Sequence, residues 1–420
     1  MKTIQRLAFV VVATIVCLSA SAIDIKLKKD KTVVDGITFA INAKKQVAQV
    51  VRGEEPYVGD IVIPEKITVD SVVCYVEEIA SNGFKDCPGV TSIVIPNCIT
   101  KIGSSAFEGC SSITEITIPS RIQELPASLF ENCTSLTTVN FEGSVKKLGN
   151  NIFEGCKSLV DFEVPSAVTE IPSDAFRGCA ELRNVTLPSG IKKIGSNAFQ
   201  ECHSLEFIDL PTGVSSIAND AFNGCTMLKE VRIPSGVTTI SANMFKGCVE
   251  LKHVDISSSV RKIEHDAFNG CAVLDSINLS NSISSMGSSV FEGCSSLKQV
   301  KIPNSLTEIA SDLFKNCASL ESVTFSNSLK KIGSGAFENC ASLTQLTIPV
   351  SVKEIGNDAF EGCNNIADIY INSSIPIKIS SGAFAKATMK EAIVHVKKGA
   401  TTNYNLDKNW KKFLNIIEWK

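Results

Sequence analysis

Thirteen cysteines, from Cys87 to Cys363, recur at every twenty-third position of this 420-residue chain. In an exported protein, such a series could form a ladder of metal sites or a set of disulfide bonds. However, no two cysteines form a C-x-x-C pair, and equivalent positions in stacked repeats point in parallel rather than towards one another. We therefore favour buried free thiols that pack as small hydrophobic side chains.

Two further cysteines, Cys74 and Cys98, lie outside this register, but their separation exceeds the period of the series by only one position. That separation would place them near one another on adjacent units of a repeat. A disulfide bond between Cys74 and Cys98 is therefore possible, and two free thiols are the alternative.

Composition and charge exclude several kinds of function. The 41 basic residues are outnumbered by 44 acidic ones, so nucleic-acid binding through a broad basic face is not expected. Only four histidines are present, and we found no nucleophile-elbow, zinc-protease or phosphate-loop motif. We therefore expect no catalytic residues, no metal and no cofactor, and we interpret the chain as a non-enzyme.

The N-terminus is typical of an export signal. Residues 1–22 contain two basic residues, an apolar run over residues 7–18, and small residues ending at Ala22, which is the order found in secretory signal peptides. We predict cleavage after Ala22 and a secreted or cell-surface protein. A lipoprotein signal ending at Cys17 is the weaker alternative, because Val16 stands where a small residue is needed. No later stretch is long and apolar enough to span a membrane.

The cysteines belong to a repeat that decides the architecture. A phenylalanine stands three residues before each of the thirteen. The surrounding pattern, I-G-x-x-A-F-x-x-C-x-x-L-x-x-I-x-I-P, is seen over residues 102–119, with Ile113 at the leucine position. A period in the twenties predicts a solenoid, in which each unit buries its apolar face only against its neighbours.

Each unit contains signals for a strand and for turns. The alternation over residues 205–210 predicts a short strand with its apolar side inward. Ser or Asn three residues before the phenylalanine, such as Ser104, can cap a helical turn. Gly or Asn just before the cysteine, such as Gly109, can close that turn in a left-handed conformation. The fold class predicted is an α/β solenoid with one short parallel strand and one short helical turn per 23-residue repeat.

In this repeat pattern the chain resembles the BspA-like leucine-rich repeats of surface proteins from host-associated Bacteroidetes. The resemblance is strongest over residues 101–110 and 343–349 and extends over about residues 59–385. It implies a right-handed leucine-rich repeat coil with a concave strand face. It also implies adhesion to host matrix proteins of the fibronectin or fibrinogen class, or to other cells.

Four segments are predicted. They are a signal peptide at residues 1–22, an N-terminal β cap at 23–76, about thirteen repeats at 77–375 and a C-terminal cap at 376–420. In the C-terminal cap we expect a last strand at residues 392–396 and a short helix at 405–413, whose Trp410 covers the open core. This cap carries nine lysines and three acidic residues, which can mark an end that lies on a polyanionic surface.

The strand face is the predicted binding surface. Side chains five and seven residues after each cysteine should point to solvent and form continuous columns across neighbouring coils. Among them Phe207 is an exposed aromatic in an acidic patch, where it could anchor a basic partner or be an ordinary surface residue. The candidate protein-binding residues are Asp161, Glu163, Phe207, Asp209, Glu230, Arg232, His253 and Asp255.

The sequence is compatible with two functions. The first is a monomeric adhesin that binds a host matrix or cell-surface protein through its strand face. The alternative is a non-catalytic, envelope-associated scaffold without a specific ligand, held to the cell through the basic C-terminal cap.

Overall fold

The structure is a computed structural model that describes residues 31–419. The predicted signal peptide and its cleavage after Ala22 lie outside the described residues. The strands are β1 Lys31–Val34, β2 Ile37–Asn42, β3 Val47–Val50, β4 Val58–Val62, β5 Lys66–Val69, β6 Val72–Ile79, β7 Gly89–Val94, β8 Lys101–Ile102, β9 Glu115–Ile118, β10 Thr138–Phe141, β11 Asp161–Glu163, β12 Glu170–Ile171, β13 Asn184–Thr186, β14 Lys193–Ile194, β15 Ser216–Ile217, β16 Glu230–Arg232, β17 Thr239–Ile240, β18 His253–Asp255, β19 Lys262–Ile263, β20 Ser285–Met286, β21 Gln299–Lys301, β22 Glu308–Ile309, β23 Ser322–Thr324, β24 Lys331–Ile332, β25 Gln345–Ile348, β26 Glu354–Ile355, β27 Asp368–Ile371, β28 Lys378–Ile379, β29 Ile393–Lys397 and β30 Asn415–Trp419. The helices are α1 Lys386–Glu391, α2 Thr401–Leu406 and a 3₁₀-helix at Trp410–Lys412.

The repeats form a solenoid, as predicted, but most coils contribute to two columns of strands rather than one. The long column contains the strand that follows each cysteine, for example β11 paired in parallel with β13. The short column contains two-residue strands such as β12 and β14, in which Glu170 lies beside Lys193 and Ile171 beside Ile194. In both columns equivalent residues of successive repeats are neighbours, so the sequence period is also the register of the sheet.

The predicted helical turn does not form a helix. In the turn around Phe107, the amides of Ser105, Phe107 and Gly109 donate hydrogen bonds to carbonyl groups of the next coil, at 2.8–3.1 Å. These N–H groups point along the solenoid and cannot bond four residues back within their own coil. Within residues 31–419, α-helices occur only in the C-terminal segment, and none of them is long and apolar enough to cross a membrane.

Each turn uses two left-handed backbone positions. The residue before the cysteine has a positive φ, as predicted, for example +73° at Gly109. A second position, two residues before the phenylalanine, was not anticipated, and Ser105 there has a φ of +57°. Short polar residues and Gly tolerate this conformation best, which explains why Asn, Asp, Ser and Gly occupy this second position.

The core of the solenoid is a ladder of stacked aromatic rings. Its fourteen rings are the phenylalanine three residues before each repeat cysteine, from Phe84 to Phe360, and Phe384, with neighbouring centroids 5.1–5.7 Å apart and ring planes within 21° of parallel. All fourteen side chains are buried. Offset-stacked rings gain energy beyond their buried area, so each coil is held to the next at its centre.

The N-terminal end of the ladder is covered by a small sheet with the strand order β1-β2-β3-β6-β5. The pairs β1–β2, β2–β3 and β5–β6 are antiparallel, whereas β3–β6 is parallel. Tyr57 packs on Phe84 with ring centroids 5.0 Å apart, and its hydroxyl donates to the Val51 carbonyl at 2.6 Å. The aromatic ladder therefore begins with a tyrosine whose hydroxyl group is hydrogen-bonded.

The C-terminal end is closed by Trp410, which is fully buried. Its indole lies 6.0 Å from the Phe384 ring and donates to the Ile377 carbonyl at 2.7 Å. The expected cap therefore exists around Trp410, but its elements differ from the expectation. β29 is followed by another strand, β30, and the helical part is divided between α2 and the 3₁₀-helix. The boundaries at residues 23–76, 77–375 and 376–420 stay a prediction.

Candidate binding surface

The cysteines of the repeat form a second ladder inside the solenoid. From Cys110 to Cys363, each thiol donates a hydrogen bond to the carbonyl of the phenylalanine in the previous coil, at 3.0–3.3 Å. The same carbonyl accepts a backbone N–H, as when Phe199 accepts from Cys202 at 3.2 Å. The thiols are therefore inter-coil donors as well as small hydrophobic groups, a role that residue spacing alone does not indicate.

This environment makes the thiols unreactive. Burial raises the pKa of Cys110, Cys225 and Cys363 to about 12, because the thiolate would lose its hydration. A thiol with so high a pKa is almost wholly protonated near neutral pH and is a poor nucleophile and metal ligand. Among the described residues, no group of His, Cys, Asp and Glu is arranged to hold a metal ion.

The structure contains Cys74 and Cys98 as free cysteines. Cys74 is buried in β6, whereas Cys98 is half-buried in the corner after β7. The Cys98 thiol donates to the Val76 carbonyl at 3.2 Å. A disulfide bond between these two cysteines stays a prediction.

Six of the eight candidate binding residues surround one shallow depression on the long column. Because β16 pairs with β18 in register, Glu230 lies beside His253 and Arg232 beside Asp255. Phe207 joins this group through a bridge to Glu230. The depression has a volume of about 400 Å³, and its outward-facing lining residues are Phe207, Asp209, Glu230, Arg232, His253 and Asp255.

Phe207 is the apolar centre of this group, which we call the Phe207 patch. Its side chain is 51% exposed, although the residues at equivalent positions in neighbouring coils are polar. The ammonium group of Lys229 lies 5.5 Å from the centre of the ring, which is within the range of a cation–π contact. A second depression, on the Lys229 side, is also lined by Phe207.

The charges around Phe207 differ from the expected acidic patch. Arg232 pairs with Asp255, its Nε lying 3.3 Å from a carboxylate oxygen, and both side chains are more than two-thirds exposed. Lys229 pairs with Glu206 at 2.5 Å. Basic groups therefore stand among the acids, and the patch offers both signs of charge around an exposed ring.

Asp161 and Glu163 are not part of the Phe207 patch. β11 pairs with β13 but not with β10, and a separate depression of about 920 Å³ lies between β10 and β11. Both carboxylates line it with Asn140, and Asp161 also accepts a hydrogen bond from Asn184 at 2.6 Å. The single surface expected from the sequence is therefore divided by the strand that contains Asn184.

A larger depression, of about 970 Å³, lies on the short column and was not predicted. It lies along the coils in which Pro126 and Pro172 occupy the position that is glycine in several other repeats, for example Gly195. Because proline has no N–H, it cannot donate the inter-coil bond that Gly195 makes to Ile171 at 2.8 Å. These substitutions are the sequence signal that could have located the depression. Its basic lining residues are Lys101, Arg121, Lys146 and Lys147.

The short column also carries a charge ladder that the sequence analysis missed. Glutamate and lysine are register neighbours in six consecutive-coil pairs, and three of these make ion pairs at 2.7–3.8 Å. Exposed ion pairs of this kind contribute little energy each. The six pairs are Glu78–Lys101, Glu124–Lys147, Glu170–Lys193, Glu308–Lys331, Lys331–Glu354 and Glu354–Lys378.

One protein family matches this chain over most of its length. Residues 77–206, 192–319 and 284–405 match the family described as BspA type leucine rich repeat region, six copies. No curated protein matches the chain.

Two solved structures share the architecture over nearly their whole length. A leucine-rich repeat protein from Bacteroides ovatus is 27% identical, with a TM-score of 0.81, and the match covers 92% of this chain and 99% of that one. A leucine rich cell surface protein from Faecalibacterium prausnitzii is 26% identical, with a TM-score of 0.57, and the match covers 84% of this chain and 96% of that one. The expected similarity to repeat proteins of host-associated bacteria is therefore confirmed.

Proposed function

The chain belongs to the BspA-type leucine-rich repeat family, and from that premise we propose that it is a secreted or cell-surface adhesin that binds protein ligands through its long column. The partner class is a host matrix protein such as fibronectin or fibrinogen, or a protein on another cell. A cell-surface location is supported by the description of the Faecalibacterium protein and by the export signal predicted at residues 1–22. The repeat scaffold serves binding and carries no catalytic site.

The observation that carries this proposal is the exposure of Phe207. A large aromatic side chain that is 51% exposed leaves apolar area in water, which binding to a partner would remove. Protein interfaces concentrate their energy in such aromatic anchors, surrounded by polar groups that exclude water. Phe207 has that environment, because Glu230 and Arg232 border it on the next coil.

The polar groups of the patch supply specificity. Arg232 can form a bidentate contact with a carboxylate of the partner. Asp209 and Glu230 can accept hydrogen bonds from basic side chains of the partner. Since the long column extends over thirteen coils at a spacing of about 4.8 Å, it offers a surface roughly 60 Å long. An extended protein segment fits such a surface better than a small ligand does.

A non-catalytic scaffold attached to the cell envelope is the second candidate. It is favoured by the lysine-rich C-terminal cap, which could hold the chain on an anionic surface without any role for the long column. In that case changes to the Phe207 patch would have no effect on the behaviour of the protein.

The test is equilibrium binding of residues 23–420 to immobilised fibronectin, fibrinogen and a neutral control protein, at low and moderate salt. We expect saturable binding to one matrix protein and a loss of at least tenfold in affinity on Phe207→Ala, the usual effect of removing a central aromatic anchor. Binding should weaken with salt, because charged groups steer the partner.

The chain offers a matched control. Tyr75 is an aromatic on β6 with a similar exposure, 53%, outside the long column. Tyr75→Ala should leave binding unchanged. If both aromatic variants bind as the wild type does, the Phe207 patch is not the site; if the wild type binds no matrix protein above the control, the scaffold function is supported instead.

A further inference from the structure

The C-terminal end of the solenoid exposes hydrophobic side chains to an unusual degree. Among residues 31–419, four large hydrophobic side chains are more than 70% exposed, and three of them are Ile375, Leu406 and Leu414. Ile375 stands beside α2, because the Tyr404 hydroxyl donates to its carbonyl at 3.1 Å. Since single exposed leucines are common but clusters are not, this concentration at one end of the molecule requires an explanation.

The cap has two opposite faces. Its inner face carries Tyr404, Trp410 and Phe413, which are buried over the last ring of the phenylalanine ladder. Leu406 is two residues from Tyr404 on α2, about 200° around the helix, so it points away from the core. In the 3₁₀-helix, Trp410 faces inward and the exposed Lys411 and Lys412 face outward.

The segment that forms the cap is strongly basic. Residues 386–419 contain seven lysines and three acidic residues. Two of the three acids are already engaged within the cap: Asp407 accepts the amides of Asn409 and Trp410, and Glu418 accepts from Thr401 and the Gly399 amide. Lys408, Lys411 and Lys412 are exposed and lie within three residues of Leu406 or Leu414 in the sequence. We define the cap surface as Leu406, Lys408, Lys411, Lys412 and Leu414.

We propose that the cap surface binds an anionic phospholipid bilayer, with the solenoid standing end-on. Lysines near such a bilayer are attracted by its negative surface potential, and exposed leucines gain energy when they enter the boundary between headgroups and acyl chains. An acidic polysaccharide would be attracted by the lysines but would provide no apolar phase for two leucines. The leucines therefore favour a lipid. This inference is independent of the ligand of the long column, which end-on binding leaves free.

The test is co-sedimentation of residues 23–420 with vesicles of phosphatidylcholine alone and of phosphatidylcholine mixed equally with phosphatidylglycerol. We expect binding only to the mixed vesicles, and less of it at high salt. The pair Lys411→Gln and Lys412→Gln should weaken partitioning roughly 30-fold, since each lysine near an anionic surface contributes about a factor of five. The pair Leu406→Ser and Leu414→Ser should weaken it at least tenfold.

Matched controls lie at the opposite end of the molecule. Lys44 and Lys45 are adjacent exposed lysines in the turn between β2 and β3, and Val58 on β4 is 71% exposed. Lys44→Gln with Lys45→Gln, and Val58→Ser, should leave vesicle binding unchanged, as should Phe207→Ala. All these positions are exposed, so the variants should unfold at the same denaturant concentration as the wild type.

Three results would overturn the proposal. Equal binding to both kinds of vesicle would exclude recognition of anionic lipid. If the lysine pair lost binding while the leucine pair kept it, the cap would be a polyanion site only. If the wild type formed dimers without lipid and the leucine pair abolished them, a second copy of the chain would be the partner of the cap surface.

Discussion

The interior of the coils and the outer face of the long column differ in how far their residues repeat from coil to coil. Inside, the same two side chains recur in every repeat, and both make contacts from coil to coil, the phenylalanines by stacking and the cysteines by hydrogen bonds to backbone carbonyls. Outside, equivalent positions of successive coils carry residues as different as Asp161, Asn184 and Phe207. The residue types therefore repeat from coil to coil in the interior, whereas they vary from coil to coil on the surface.

This difference separates stability from recognition. In a solenoid each coil is stabilised by its neighbours, so the interior ladders must match at every step. The outward side chains make few contacts that the fold requires, so they are free to differ and to bind. Changes inside should therefore alter the stability of the protein, and changes on the long column should alter only its binding.

The largest effect should come from alkaline pH, which acts on the whole cysteine ladder. Burial raises the pKa of Cys110, Cys225 and Cys363 to about 12, from an ordinary value of 9.0. A raised pKa in the folded state means that stability is complete below about pH 9 and is lost as pH rises towards 12. At about pH 11 each such thiol should lower the free energy of unfolding by about 2 to 3 kcal/mol. The loss from these three thiols alone therefore approaches the whole stability of a typical domain.

Urea unfolding at a series of pH values from about 7 to 11 measures this loss. Because lysines and tyrosines titrate in the same range, the control is a variant with Cys225→Ser, whose stability should fall less steeply with pH. A wild-type stability that stayed constant up to about pH 11 would contradict the buried, protonated thiols.

The second largest effect should follow from truncating one rung of the phenylalanine ladder. Phe222 is fully buried and stacks between Phe199 and Phe245, at 5.4 and 5.6 Å. Phe222→Ala leaves a cavity between two rings, and we expect a loss of about 3 to 5 kcal/mol in the free energy of unfolding. A loss below about 1 kcal/mol, measured by urea unfolding followed by circular dichroism, would show that the ladder is not the main support of the coils.

The features that the sequence predicted are those that repeat. The regular period of Phe and Cys indicated the solenoid, the parallel strands after each cysteine and the left-handed residue before it, and these are confirmed by the positions of β11 and β13 and by Gly109. The expected helical turn forms as a series of hydrogen-bonded turns rather than a helix, because every second amide, such as those of Ser105, Phe107 and Gly109, bonds to the next coil. Hydrogen bonds between coils cannot be inferred from propensities within one repeat.

Other features were missed because they depend on three-dimensional proximity. Strands as short as β12 cannot show an alternating pattern. The thiol hydrogen bonds join a cysteine to a backbone carbonyl of the previous coil, which no side-chain pattern reveals. For the candidate site, the sequence indicated outward positions, but not that Lys229 covers one side of Phe207 or that β10 and β11 are unpaired. The binding role of the eight candidate residues stays a prediction.

A smaller effect should separate the two roles of the cysteines. The Cys225 thiol fills space and donates to the Phe199 carbonyl at 3.1 Å. Cys225→Ala should cost about 1 to 3 kcal/mol in the free energy of unfolding, and Cys225→Ser should recover part of this loss because its hydroxyl can donate. An alanine variant as stable as the wild type would mean that the hydrogen bond contributes nothing.

The smallest effect should come from the ion pair on the long column. Arg232 and Asp255 are highly exposed, and such pairs contribute about 0 to 1 kcal/mol. Arg232→Ala should therefore change the urea midpoint very little while weakening the binding of an acidic partner. A large loss of stability in this variant would contradict the separation of interior and surface roles.

Labelling of thiols tests the two cysteines outside the ladder. With the predicted cleavage after Ala22, the chain contains 15 cysteines. Denatured, unreduced protein should expose 13 free thiols if Cys74 and Cys98 are bridged, and 15 if they are not. Counting by mass after alkylation distinguishes these values, and a count near zero would contradict the free-thiol ladder itself.

The most direct test of the central claim compares two phenylalanines that are close in the sequence, Phe207 on the long column and Phe222 in the ladder. Urea unfolding and matrix-protein binding would be measured on the same preparations of Phe207→Ala and Phe222→Ala. We predict that Phe207→Ala loses binding and keeps its free energy of unfolding within about 0.5 kcal/mol of the wild type. Phe222→Ala should lose several kcal/mol of unfolding free energy but should still bind the matrix protein under conditions in which it is folded. Loss of stability in Phe207→Ala, or unchanged binding in that variant, would contradict the assignment of recognition to the long column.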